Sequence, residues 1–310
     1  MTASTTAKAS RDIHAEVTAS IIAAIEASPR APRMPWLQSN RPLHLPRNAL
    51  TRNNYNGINI LQLWATGFVR GYDQQLWASY RQWAQVSGQV KQGERGTTVA
   101  FYKTYEVEPK ADDPDDDGSR RVLKTSVVFN IHQVTGYAPP AGPPPRTLPA
   151  DPWQPLDSVE DFIIATGADI RHGGDQAYFH RLKDFVQMPE RTSFVGTETS
   201  TPLEAYYAVL LHELTHWTGT SFRLDRTFGQ RFGDAAYAAE ELVAELGSAF
   251  MCAELGITPA PRADHAQYLA HWLKLLKSDK RAIFVAAAKA SEAARFLAAG
   301  VGMPAEETRP

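Results

Sequence analysis

Apolar and polar positions along the chain alternate between two periods, and the changes of period mark out its elements. Residues 11–27 (RDIHAEVTASIIAAIEA) place Ile13, Val17, Ile21, Ile22 and Ile25 near helical spacing, which predicts an amphipathic helix. Residues 58–68 and 74–87 read as helices, with Gly88 at the expected stop of the second. Residues 97–107 and 121–134 alternate as β-strands do and are expected to pair across the acidic segment 108–120. Further on, helices are expected at 157–166, 202–218, 235–255, 263–277 and 279–299. A short strand is expected near 168–171, and a strand or edge hairpin over 177–189, closed by Pro189. Thr201, Pro202 and Glu204 form a start signal for the 202–218 helix: an N-cap, a first-position proline and a capping-box acid.

Between these halves, residues 138–155 (APPAGPPPRTLPADPWQP) contain eight prolines in eighteen positions, the composition of a stiff linker. The expected organisation is residues 1–137, then the linker 138–155, then 156–310. The fold class is α+β: a mixed α/β front domain and a mostly helical back domain with a small sheet.

Composition narrows the chemistry. The only cysteine, Cys252, excludes a disulfide framework and a thiolate metal cluster, so a metal must be held by histidines and carboxylates. No apolar run approaches the 18 or so residues of a membrane span. The N-terminus lacks the apolar stretch of a secretion signal, so a cytoplasmic protein without a membrane partner is expected. Residues 1–107 hold 12 Lys/Arg against 6 Asp/Glu, whereas the rest is acidic, so a basic front meets a net charge of -2 overall.

The most specific motif is His212-Glu213-Leu214-Thr215-His216. On a helix, positions i and i+4 share a face, so His212 and His216 project together as candidate ligands for one Zn²⁺, or another divalent ion. Glu213 is offset by about 100° and placed to act as general base on water. A catalytic zinc takes three protein ligands. The 235–255 helix offers Glu241 and Glu245, again i and i+4 on one face; Glu241 is assigned as the third ligand and Glu245 as the group that orients a ligand histidine. The exchanged roles remain open, and Glu240 is expected to face solvent. Arg223 and Arg226 follow the motif helix and either pair with the acidic cluster or orient substrate.

The front half mixes cations with aromatics. Arg47, Arg52, Tyr55, Trp77, Arg81, Lys91 and Arg95 are candidate contacts for single-stranded DNA, because cations track phosphates and exposed rings stack on unpaired bases. About half of the aromatics are expected in the core instead.

These residues resemble a known family. His212 to Gly219, Arg223-Leu224-Asp225-Arg226 and Glu240 to Gly247 look like the metallopeptidase domain of ArdC-type antirestriction proteins, which travel on conjugative plasmids; related domains occur in plasmid primases. Leu45 to Asn48, Asn54 to Asn59, Trp77 with Tyr80 and Gln82, and Val90 to Gly96 look like that family's N-terminal single-stranded-DNA-binding domain. The resemblance implies a gluzincin-like peptidase domain and protection of incoming DNA from host restriction, with transfer to a recipient cell during conjugation. A restriction protein or another host protein is the implied peptidase substrate. Two other functions fit the same residues: a non-catalytic DNA-coating protein whose metal is structural, and an accessory module of a primase or of conjugation.

Overall fold

The fold is given by a computed structural model, which describes residues 12–27, 34, 43–108, 117–139, 151, 153–196, 200–228, 236–258 and 265–300. The acidic segment and the proline-rich segment of the sequence lie largely outside these residues.

The front half carries helix α1 (Ile13–Glu26), strand β1 (Arg47–Asn48), helix α2 (Ile58–Arg70), strand β2 (Leu76–Ser79), helix α3 (Tyr80–Gln85) and strand β3 (Gln89–Val90). The long strands β4 (Thr97–Glu106) and β5 (Ser119–Asn130) follow, then β6 (Val134–Thr135). Strands β1, β2, β5 and β4 form a sheet in that order, with β4 and β5 antiparallel. The stretch 74–87 differs from the helix expected there. Ser79 caps a helix that begins only at Tyr80, its side chain accepting from the Gln82 backbone while Gln82 reaches back to the Ser79 N–H. The preceding Trp77 and Ala78 are both fully buried, and a short all-buried run carries no period that separates strand from helix.

The back half contains α4 (Asp157–Ala165), strands β7 (Asp169–His172), β8 (Tyr178–His180) and β9 (Phe185–Met188), and helices α5 (Pro202–Thr218), α6 (Ala236–Leu255), α7 (His265–Ser278) and α8 (Ala282–Ala299). Its three-stranded sheet runs β7-β9-β8, with β8 and β9 an antiparallel hairpin. Helix α5 packs on this sheet and on α6 through a core that includes Val186, Met188, Tyr207, Leu211 and Leu214. Among the described residues, no helix is long and apolar enough to cross a membrane.

Front and back share one core. Val17, Ile21 and Ile25 of α1 and Leu61 and Trp64 of α2 join Leu242, Leu246 and Phe250 of α6, Trp272 of α7 and Ile283 of α8 in a single buried cluster. Trp64 packs on Phe250 with ring centroids 5.7 Å apart. Polar ties cross the same boundary: Ser291 Oγ accepts from the Gly57 N–H at 2.8 Å, and Thr18 Oγ1 donates to the Lys280 carbonyl at 2.8 Å. The two halves are therefore packed as one body, and α6, which carries the acidic cluster, packs chiefly against α5 and α8 and meets α2 where Trp64 touches Phe250.

Candidate metal centre

Helix α5 begins as its sequence dictates. Thr201 Oγ1 accepts from the Glu204 N–H, Glu204 returns the bond to the Thr201 N–H at 3.0 Å, and Pro202 occupies the first turn. The other Glu204 oxygen accepts from the Thr258 N–H at 2.8 Å, which ties the chain just past α6 to the start of α5. With both ends of the pair fixed, the motif turn near the end of α5 faces the first turns of α6.

The two histidines point their Nε2 atoms at one spot. These atoms lie 3.2 Å apart, and Glu241 of α6 presents one oxygen 3.6 Å from His212 Nε2 and the other 3.4 Å from His216 Nε2. A tetrahedral site with bonds of about 2.0–2.2 Å separates its ligand atoms by about 3.3–3.6 Å. The three side chains thus form a set that fits a small divalent ion, and they are the group of that kind found among the described residues. His212, Glu213 and Glu241 are buried and His216 nearly so. Glu213, His216 and Glu241 open onto a cleft of about 600 Å³ bounded by Tyr178 and Phe179 of β8 and by Tyr237 of α6.

Two glycines permit this geometry. A Cβ on Gly247 would stand 2.6 Å from Thr215 Cγ2 and 2.7 Å from its Oγ1, so α6 meets α5 here without a side chain between them. Gly219 closes α5 with ordinary right-handed backbone; its role is close approach, since a Cβ there would lie 2.7 Å from the Arg226 guanidinium.

Arg226 passes over Gly219 to the site. Its side chain is fully enclosed, donating to both oxygens of Glu240 at 2.6 and 2.8 Å, to the Thr215 carbonyl at 2.7 Å and to Thr218 Oγ1 at 3.0 Å. Glu240 in turn accepts from His216 Nδ1 at 3.1 Å. This corrects the expectation that Glu240 faces solvent. Helix α6 is buried on most sides from Ala239 onward although Tyr237 in its first turn stays exposed, and the enclosed Arg226 guanidinium requires a carboxylate partner, which draws Glu240 out of water. A buried cation so close to the motif was the available sequence signal for this pairing. Arg223 likewise makes a two-pronged ion pair with Asp184 at 2.6 and 2.8 Å and stacks 3.5 Å over Trp217, so both arginines hold structure together.

The charges respond to this packing. Burial pulls the His216 pKa down, but hydrogen bonds with Glu240 and Glu241 and the charge of Glu213 outweigh it and raise the value from 6.5 to about 9. Burial pushes Glu241 up, yet the two histidines bring it far below the ordinary carboxylate range. Glu240 is also lowered, burial being overcome by Arg226 and His216. Cys252, enclosed on α6, is pushed up to about 12 by burial, which makes it an inert thiol. Glu245 is buried one turn beyond Glu241.

Residues 157–289 match the zincin-like metallopeptidase family MPTase-PolyVal, and residues 11–129 match the N-terminal domain of anti-restriction factor ArdC. The chain belongs to the ArdC-type antirestriction family. It is 43% identical to an uncharacterized protein, y4eC, of Sinorhizobium fredii (strain NBRC 101917 / NGR234), covering 96% of this chain and 95% of that one. It resembles the crystal structure of the antirestriction ArdC protein from the R388 plasmid in a metal-free form, with a TM-score of 0.74 and 37% identity over 93% of this chain and 97% of that one. The Mn(II)-bound form of that protein gives a TM-score of 0.71 at the same identity and coverage. A DNA primase TraC of Escherichia coli is 33% identical over 94% of this chain but only 28% of its own length. Within this family, the zincin-like match, the Mn(II)-bound relative and the three-ligand set here together support a divalent metal.

The expected DNA contacts divide differently. Arg47, Arg52, Arg81, Lys91 and Arg95 are exposed. Trp77 is 0% exposed, packed with Leu63, Val99 and Val128, and is a core residue rather than a stacking ring. Tyr55 is half-buried against the same cluster, its hydroxyl accepting from Asn48 Nδ2 at 3.3 Å. Composition alone cannot separate a ring that stacks on bases from one that fills the sheet.

Proposed function

We propose that this protein protects incoming DNA from host restriction by binding single-stranded DNA with its front half and by metal-dependent peptide hydrolysis in its back half. The observation that carries the enzymatic part is the convergence of His212 Nε2, His216 Nε2 and a Glu241 carboxylate beside Glu213 at the floor of an open cleft. His212, His216 and Glu241 hold the ion, assigned as zinc, and Glu245, buried one turn beyond Glu241, is assigned to orient a ligand histidine. A bound divalent ion supplies Lewis acidity, which brings water to a pKa of about 7 and polarises a carbonyl.

The chain's own residues supply the rest. Glu213 lines the cleft next to His216, where its carboxylate takes a proton from the attacking water and returns it to the departing amine nitrogen. Glu240 and Arg226 fix the ring of His216, which keeps the proton on Nδ1 and Nε2 free to ligate. Tyr178 and Phe179 of the edge strand β8 line the cleft together with Glu213, so an extended protein segment laid along β8 would reach it. The substrate class is therefore a polypeptide, with a component of the host restriction system as the leading candidate. The exposed cations of the basic front support the DNA-binding part.

The decisive comparison is restriction protection in cells by the wild type and by Glu213→Ala, with metal content measured in both. Loss of protection at unchanged metal content is expected. Full protection by a metal-loaded Glu213→Ala protein would refute catalysis as its basis and leave DNA coating as the mechanism.

A further inference from the structure

The β4–β5 ribbon leaves the core halfway along its length. Val99 and Ala100 are buried, whereas every residue from Phe101 to Val107 is exposed. The register sets Phe101 opposite Lys124, Lys103 opposite Val122 and Tyr105 opposite Arg120. Opposed residues and every second residue of a strand share a face. One face therefore presents Phe101, Lys103 and Tyr105 beside Lys124, Val122 and Arg120, which is two aromatic rings and three cations with no carboxylate. Phe101 is 47% and Tyr105 37% exposed. Lys103 Nζ lies 5.1 Å and Lys124 Nζ 5.8 Å from the centre of the Tyr105 ring.

We propose that this face is a platform for single-stranded nucleic acid, with Phe101 and Tyr105 stacking on bases and Lys103, Lys124 and Arg120 following the phosphates. The inference rests on the DNA-binding reading above and assigns it to residues other than the cations first expected to serve it. Rings left in water between cations are what a chain of stacked bases and phosphates complements. The all-positive character of the face excludes a basic partner, and the alternation of ring and cation along β4 matches that of base and phosphate. Phe101 and Tyr105 stand about 13 Å apart along the strand, the length of about four stacked nucleotides.

The test titrates the full-length protein into a fluorescently labelled oligothymidylate and follows anisotropy against salt. Phe101→Ala/Tyr105→Ala is expected to weaken binding about tenfold or more, while Tyr105→Phe keeps it, because stacking needs the ring and not the hydroxyl. Lys103→Ala/Lys124→Ala is expected to lower the slope of log K against log salt by about 0.7 for each cation. All four side chains lie on the exposed ribbon, so unchanged thermal melting will show that the variants fold. Wild-type affinity in Phe101→Ala/Tyr105→Ala would overturn the platform and leave DNA binding elsewhere on the front half. A wild-type protein that does not bind the oligonucleotide would overturn both, as would a preference for an acidic peptide.

Discussion

Glu240 accepts from His216 Nδ1 at 3.1 Å while its two oxygens are gripped by Arg226. The pairing runs in one direction only: a carboxylate that accepts from two donors forces the His216 proton onto Nδ1 and turns Nε2 toward Glu241. Arg226 cannot swing away, because the Thr215 carbonyl and Thr218 Oγ1 take two more of its N–H groups. The ring of His216 is thus set by a residue next to the assigned ligand Glu241 and by an arginine ten positions beyond His216 itself.

Removing that hold should loosen the metal without touching a ligand. Glu240→Ala is expected to weaken zinc binding about 10- to 100-fold, measured by competition with a fluorescent chelator. Arg226→Lys should not substitute for the arginine, since a lysine lacks the fork that engages both carboxylate oxygens. An unchanged metal affinity in Glu240→Ala would show that His216 is oriented by its packing alone.

The closeness of α5 and α6 yields a second expectation. Alanine is intrinsically better than glycine in a helix by about 1 kcal/mol, so propensity alone favours Gly247→Ala. Overpacking opposes it at about 1–3 kcal/mol, because the new Cβ would meet Thr215, a buried β-branched residue whose Oγ1 is tied to the Leu211 carbonyl at 2.8 Å. The clash should win. Gly247→Ala is expected to melt a few degrees lower and to bind metal more weakly, and Thr215→Ala in the same chain should restore both. A higher melting temperature in Gly247→Ala alone would mean that the helices part freely here.

What the sequence disclosed and what it hid follow from the range of each interaction. The capping box of α5 and the His-x-x-x-His spacing are local, and both were legible. The partition of the acids on α6 was not, because Glu240 and Glu241 differ by only 100° around the helix. Which of them faces which neighbour depends on how α6 lies against α5 and on where Arg226 arrives. Trp77 is hidden from the sequence for a related reason: its buried neighbours Leu63, Val99 and Val128 come from α2, β4 and β5, which the 74–87 window does not contain. The shared core of α1 and α2 with α6 to α8 is equally non-local, and a proline-rich segment in the sequence gives no hint of it.

The raised His216 pKa makes stability and metal binding move oppositely with pH. A group held above its unfolded value stabilises the fold fully below that value and loses the contribution as pH rises through the folded one. For His216 in the metal-free protein, that loss falls between 6.5 and about 9. Glu240 and Glu241 are lowered, so their contribution is present above the ordinary carboxylate range and is lost on acidification. Melting temperature in the presence of a chelator should therefore peak in mildly acidic to neutral buffer and fall toward pH 9. Zinc must displace the His216 proton, so its affinity should rise about tenfold per pH unit until the ring is neutral. Ligand stabilisation grows with the logarithm of that affinity. The difference in melting temperature between zinc-loaded and chelated protein should accordingly widen as pH rises from about 6 to about 9. A difference that stays constant or narrows over this range would mean that no proton leaves His216 when the metal arrives.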